Sequence, residues 1–100
     1  MTQPADAVKE RVATRKQDPI LHKVVLLNDD YTTMDFVMHV LASVFEKSPA
    51  EAYRIMMLVH TTGRAVAGVY PWEVAETRAE AVISQARDAG FPLKAVTEEI

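Results

Sequence analysis

The chain has 100 residues, of which 49% are hydrophobic and 25% are charged, as expected of one globular domain with a modest core. It contains no cysteine, which excludes disulfides and cysteine-based catalysis or metal binding, and its net charge of −3 argues against a nucleic-acid partner. The sequence also lacks an apolar run of ~20 residues and a signal-peptide pattern, so we expect no membrane role and a cytoplasmic location.

The first part of the chain separates into a tail and a strand. Residues 1–18 are mostly polar or small, with Pro4 and no sustained apolar periodicity. Such a segment buries too little apolar surface to offset the entropy of ordering it. We therefore predict a mobile tail, followed by a folded domain over residues 19–100. The apolar run that ends at Leu27 predicts a buried strand, roughly from Leu21 to Leu27.

Three short polar residues follow this strand: Asn28, Asp29 and Asp30. They are ordinary turn formers, but at a strand exit they can also face a cleft. Thr32, three residues before Asp35, predicts a variant capping box and a helix over about residues 33–45. The apolar stripe of this helix has helical spacing, and His39 falls outside it, towards solvent. The stripe consists of Val37, Val40, Leu41, Val44 and Phe45.

The second helix has the clearest start signal in the sequence. Ser48 is placed as its N-cap, Pro49 as its first residue, and Glu51 three residues after the cap. Gly63 predicts its end, because glycine most easily adopts the left-handed conformation. His60 lies one turn beyond Met56, so these two side chains share a face. The predicted apolar face consists of Ala52, Ile55, Met56 and Val59.

The remaining elements complete a mixed pattern. Arg64 to Tyr70 predicts a second strand that Pro71 ends, residues 72–89 predict a third helix that stops at Gly90, and Leu93 to Thr97 predicts a third strand. The inward face of the third helix consists of Ala75, Ala79, Val82, Ile83 and Ala86. The order of elements lacks the regular alternation of a parallel sheet. It predicts an α+β fold, a small two-layer sandwich of a three-stranded antiparallel sheet with three helices.

Residues for catalysis are scarce in this sequence. The hydroxyl groups are explained by caps and turns, His22, His39 and His60 lack a paired ligand spacing, and three glycines provide no phosphate-binding loop. We therefore expect neither an enzyme nor a cofactor. One alternative stays open, in which Asp29, Asp30 and His60 meet to bind a divalent metal in a small hydrolase.

Asn, Asp and His side chains beside apolar residues also suit an ammonium ligand. Oxygen acceptors form charge-assisted hydrogen bonds worth about 1.5 to 3 kcal/mol each, and a free peptide N-terminus carries such a cation. His60 can equally cap its own helix. The first side chain of the peptide would need an apolar hole, although plain core packing also explains the candidate residues. These candidates are Met34, Val37, Met56, Val59 and Leu93.

Several segments of the chain occur in the order found in one known family. They are residues 23–32 with the sequence KVVLLNDDYT, then Met34, Phe36 and Val37, then residues 56–60 (MMLVH) and residues 73–77 (EVAET). Together they closely resemble the ClpS family of bacterial adaptor proteins. The resemblance extends from about Pro19 to the C-terminus.

This resemblance implies a small α/β fold and a non-enzymatic role. Members deliver N-end rule substrates, which begin with residues such as Phe, Tyr, Trp or Leu, to the ClpA unfoldase of the ClpAP protease. The resemblance implies that Asn28, Asp30 and His60, with help from Asp29, hold the α-amino group of the substrate. Met34 resembles the gatekeeper against β-branched side chains. The residues that match the hydrophobic pocket of the family are Thr32, Met34, Val37, Met56, Val59 and Leu93.

Further positions carry the rest of the resemblance. Glu73 and Arg78 fall where the family contacts the unfoldase, and the tail matches the extension that the family uses in delivery. Thr33 departs from a proline that is common there in relatives. A further alternative is an interaction domain of the ribosomal-stalk type, whose C-terminal module resembles the predicted fold. Such a domain would need neither the Asn-Asp-Asp sequence nor the Val-His pair.

Overall fold

A computed structural model describes residues 20–100, so the predicted mobile tail, residues 1–18, lies outside the described residues. The described part forms β1 (Leu21–Leu27), α1 (Met34–Ser43), α2 (Pro49–Thr62), β2 (Arg64–Pro71), α3 (Trp72–Ala89) and β3 (Lys94–Glu99). The order of elements and the predicted α+β class are confirmed. None of the helices in this part combines the length and apolar character that crossing a bilayer requires.

The three strands form one antiparallel sheet in the order β2-β1-β3. The central strand, β1, pairs with β2 through a bulge: Val24 lies opposite Gly68 and Val25 opposite Val66, so Ala67 is the extra residue. Ala67 is buried, which means that the bulge turns an additional small side chain into the core.

The helices cover one face of this sheet. Helix α3 packs against all three strands, and α2 packs against α1 and β2. The apolar faces predicted for α1 and α2 are buried in full, and on α3 only Ile83 is half-buried rather than buried. Helical periodicity therefore identified the core side of each helix, since a stripe of apolar residues every three to four positions stays on one side.

The opposite face of the sheet carries an ion pair across β1. Arg64 of β2 donates to both carboxylate oxygens of Glu98 of β3, each at 2.7 Å, and Lys23 lies 3.9 Å from the same carboxylate. Arg64 pairs with Leu27 and Glu98 pairs with Lys23, so the ion pair runs diagonally over the strand. Because this diagonal ion pair covers the middle of β1, Val25 is fully buried even though it lies on the face away from the helices.

The predicted boundaries needed small corrections. Helix α1 ends at Ser43 rather than near residue 45, because the chain turns through Glu46, which has a left-handed φ of 57°. Strand β3 runs from Lys94 to Glu99, two residues beyond the predicted end. The start of α2 is confirmed: the Ser48 hydroxyl accepts the Glu51 N–H at 3.2 Å.

Candidate functional site

A backbone hydrogen bond brings the end of β1 to the end of α2. The N–H of Asn28 donates to the carbonyl of Gly63 at 2.9 Å. Gly63 ends α2 with a φ of 95°, and its own N–H donates to the carbonyl of Val59 at 3.0 Å. The loop that begins at Asn28 is thereby fixed beside the last turn of α2, which carries His60.

Asp29 organises this loop. Its Oδ1 accepts the N–H groups of Tyr31 at 2.8 Å and Thr32 at 2.7 Å, and its Oδ2 accepts the Thr32 hydroxyl at 2.7 Å. Burial opposes the ionisation of Asp29, but these hydrogen bonds outweigh it and lower the pKa of the carboxyl. Asp29 is therefore a carboxylate at neutral pH, and most of its acceptor capacity is directed into its own loop.

The same interactions move the helix cap by one residue. We predicted Thr32 as the cap of α1 together with Asp35, and that prediction is wrong. The hydroxyl of Thr33 accepts the N–H of Phe36 at 3.1 Å, and α1 begins at Met34. Thr32 cannot perform this role because its hydroxyl is directed to Asp29. Thr32 is instead a half-buried residue of the loop.

A cavity of about 310 Å³ opens where the loop and the two helices meet, near the lower end of the roughly 300 to 1,000 Å³ typical of ligand pockets. Nine of the ten residues predicted for amine binding and the hydrophobic pocket line it. The loop supplies four of them, α1 supplies two and α2 supplies three. They are Asn28, Asp29, Asp30 and Thr32, then Met34 and Val37, then Met56, Val59 and His60.

The lining of this cavity divides into an apolar floor and a polar rim. Val37, Met56 and Val59 are buried, and they form the floor. Asn28, Asp30 and His60 are exposed at the rim. Met34 is 44% exposed, so its flexible side chain stands at the entrance. A ligand with a cationic head and an apolar side chain suits this division, because each part meets groups of matching chemistry.

Leu93 is the tenth predicted residue, and the structure places it elsewhere. It is 3% exposed and belongs to the hydrophobic core. It lines a separate groove at the end of α3, together with Phe91 and Ile83. The turn after Gly90 directs this segment into the core next to Phe91, whose ring lies 4.9 Å from that of Phe36. The core-packing interpretation therefore describes Leu93, which does not line the cavity.

The metal-binding alternative finds no support in the geometry. Across residues 20–100, no group of three or more His, Cys, Asp or Glu side chains is arranged to hold a metal ion. Asp29, one of the three ligands considered, already accepts three hydrogen bonds from Tyr31 and Thr32.

The two residues predicted for unfoldase contact line another groove, of about 500 Å³, between the end of α1 and the start of α3. Glu73 is exposed there. Arg78 is half-buried: its guanidinium donates to the carbonyl of Val44 and lies 5.3 Å from the ring centroid of Tyr70. Burial raises the pKa of Tyr70, and the charge of Arg78 opposes that shift. Arg78 therefore also stabilises the turn after α1, a role that its sequence position did not indicate.

The fold and the cavity define a small α+β binding domain. The family model described as ATP-dependent Clp protease adaptor protein ClpS matches residues 17–96. The ATP-dependent Clp protease adapter protein ClpS of Maricaulis maris is 52% identical over 93 residues, which cover 93% of this chain and 84% of that protein. The corresponding protein of Wolinella succinogenes is 48% identical over 92 residues, which cover 92% and 88%.

A solved structure gives the same result. The structure of Agrobacterium tumefaciens ClpS2 bound to L-phenylalaninamide superposes with a TM-score of 0.80 at 45% identity, and the match covers 82% of this chain and 99% of that one. The chain belongs to the ClpS family of ATP-dependent Clp protease adaptor proteins. The resemblance drawn from residues 23–32, 56–60 and 73–77 is thus confirmed.

Proposed function

We propose that this protein binds the free N-terminus of proteins that begin with Phe, Tyr, Trp or Leu and delivers them to a ClpA-type AAA+ unfoldase. It performs no catalysis of its own and needs no cofactor. One observation carries the proposal: a single cavity combines a buried apolar floor with a rim of hydrogen-bond acceptors. The ligand of the related ClpS2, L-phenylalaninamide, has a free amine and a benzyl group, which match these two halves.

The amine is assigned to the rim. Asn28, Asp30 and His60 provide an amide oxygen, a carboxylate and an imidazole nitrogen around one opening, and each can accept a hydrogen bond from an ammonium group. The carboxylate of Asp30 supplies the opposite charge. Asp29 holds the loop in shape, because its own oxygens are engaged by Tyr31 and Thr32.

The first side chain is assigned to the floor formed by Val37, Met56 and Val59. Complete burial of a Phe or Leu side chain contributes about 1.5 to 3 kcal/mol, which corresponds to roughly a 10- to 100-fold gain in affinity. An Ala side chain reaches little of this floor. Met34 at the entrance restricts branching next to the backbone, because a second substituent on the β-carbon would meet its side chain.

Fluorescence anisotropy with short labelled peptides tests both assignments. A Phe-initiated peptide should bind, and the same peptide should lose binding when its N-terminus is acetylated, because the cation is deleted and Asp30 loses its partner. An Ala-initiated peptide should bind roughly 10- to 100-fold more weakly. Binding should persist in a chelator. Equal affinity for the free and acetylated peptides would refute the amine assignment.

Delivery is assigned to the groove that contains Glu73. Because Arg78 supports the fold, Glu73 is the better residue to change. We expect Glu73→Lys to keep the peptide affinity of the parent and to lose binding to the unfoldase. Glu99→Lys is a matched control, since Glu99 is also exposed but lies on β3. If the two variants bind the unfoldase equally well, the groove is not the contact. The cytoplasmic location stays a prediction.

A further inference from the structure

The methionines of residues 20–100 differ widely in their access to solvent. Met34 is 44% exposed, whereas Met56 is 5% exposed. Met38 and Met57 are half-buried and pack against the hydrophobic core. A peroxide oxidises a thioether only where it can reach the sulfur, so a buried methionine reacts more slowly than an exposed one. In this part of the chain, Met34 is therefore the methionine most open to oxidation.

Met34 also lies where a change of polarity affects ligand binding. It lines the cavity beside His60, whose floor contains the buried side chains of Val37 and Val59. When the first side chain of a substrate fills this cavity, it contacts the Met34 thioether and covers part of it. Methionine sulfur makes favourable contacts with aromatic rings. Met34 is thus exposed to solvent in the free protein and becomes apolar contact surface in the complex.

We infer that Met34 is a modification site, at which a peroxide weakens substrate binding by converting the thioether to a sulfoxide. This inference rests on the proposed function, because the expected loss concerns the binding of a hydrophobic first residue. The sulfur attacks one peroxide oxygen, so that an S–O bond forms and the O–O bond breaks. The other oxygen leaves as hydroxide and takes the proton of the transferred hydroxyl. The sulfur is thereby oxidised, and the peroxide is reduced to water.

The free protein should tolerate this sulfoxide better than the complex does. Methionine sulfoxide is polar, and at an exposed position water hydrates its oxygen. A bound Phe side chain removes part of that water and offers no hydrogen-bond donor in exchange, which is the costly case for a polar group. The backbone next to Met34 is held independently, because the Thr33 hydroxyl accepts the N–H of Phe36 at 3.1 Å. We therefore expect α1 to stay folded after oxidation.

Treatment of the full chain with hydrogen peroxide tests the inference. The parent, Met34→Leu and Met57→Leu are each compared before and after treatment, by the anisotropy of a labelled Phe-initiated peptide without methionine. Met57→Leu is the matched control, because Met57 lies on α2 but does not line the cavity. Mass spectrometry of proteolytic peptides should show Met34 oxidised before the other methionines of residues 20–100. Saturating L-phenylalaninamide should slow its oxidation.

The affinities decide the outcome. In the parent and in Met57→Leu, affinity should fall roughly 5- to 30-fold once Met34 is oxidised, as when an unpaired polar group is partly buried. Methionine sulfoxide reductases should restore it, and circular dichroism should show the parent fold throughout. After treatment, Met34→Leu should bind as it did before. An unchanged affinity in the oxidised parent, or an equal loss in Met34→Leu, would overturn the inference while the proposed function stands. If the untreated parent does not bind the peptide, the proposed function fails and the inference fails with it.

Discussion

Replacing Asp29 distinguishes two roles that its carboxylate could have in the proposed binding of an amine: direct contact with the ammonium group, or ordering of the loop. The resemblance implied that Asp29 helps to hold the ammonium group, whereas the structure directs its oxygens to Tyr31 and Thr32. Asp29→Ala deletes both the charge and the hydrogen bonds. Asp29→Asn deletes the charge but keeps an oxygen for the two N–H groups and offers an NH₂ to the Thr32 hydroxyl. We therefore expect the two variants to differ.

The size of the difference follows from the three hydrogen bonds. Because the loop is partly exposed, each hydrogen bond is taken to contribute about 0.5 to 1 kcal/mol. Asp29→Ala therefore removes about 1.5 to 3 kcal/mol of the free energy that stabilises the ordered loop. If binding must restore that order, affinity falls roughly 10- to 100-fold, at about 1.4 kcal/mol for each factor of ten. Asp29→Asn should lose less than about fivefold.

Two measurements check this expectation. Titration calorimetry with L-phenylalaninamide gives the affinity of the parent and both variants, and amide NMR signals of Tyr31 and Thr32 report whether the loop stays ordered. If Asp29→Asn binds as weakly as Asp29→Ala while its amide signals match the parent, the charge of Asp29 acts on the ligand directly and our reasoning is refuted. Parent-like affinity in Asp29→Ala would refute the need for loop order.

Three further predictions test the entrance, the core and the open face of the sheet. Met34→Ala should bind Ile-initiated peptides more tightly than the parent does, as measured by anisotropy; unchanged discrimination would contradict the gatekeeper role. Gly68→Ala would place a Cβ against the ring and hydroxyl of Tyr70, so thermal unfolding should show a loss of about 1 to 3 kcal/mol that disappears in a Tyr70→Ala background. The hydrogen bond from Arg64 lowers the pKa of Glu98 below 4.5, so this interaction stabilises the fold above about pH 4.5 and is lost as pH falls through the lowered pKa. An NMR titration of Arg64→Gln should show the Glu98 pKa rising towards 4.5. An unchanged pKa would contradict the pairing.

Local sequence signals predicted most of the fold. The apolar spacing of α2 identified Ala52, Ile55, Met56 and Val59, and all four are buried. The caps at Ser48 and Gly63 were equally readable, because a cap depends on residues within one turn of the chain. The error at Thr32 arose because two adjacent threonines can both cap a helix. The choice between them was made by Asp29, whose hydrogen bonds are not visible in a helical pattern.

The site was harder to predict from the residues alone. Asn28 and His60 meet because the N–H of Asn28 reaches the carbonyl of Gly63, a contact between distant parts of the chain that periodicity cannot reveal. The chemistry of Asn, Asp and His side chains suggested a shared ligand, and the resemblance to a known family gave the same grouping. Arg78 illustrates the opposite case, since an arginine on a predicted helix is expected in solvent, yet this one contacts Val44 and Tyr70.

Helix α1 lines both the cavity beside His60 and the groove that contains Glu73, and its length sets how far apart its contributions lie. Its first residue, Met34, stands at the entrance of the cavity beside His60, and its last, Ser43, lines the groove that contains Glu73. A helix of 10 residues spans about 15 Å. Under the proposed function, the helix is therefore a rigid spacer that would hold the bound N-terminus at a fixed distance from an unfoldase in the groove.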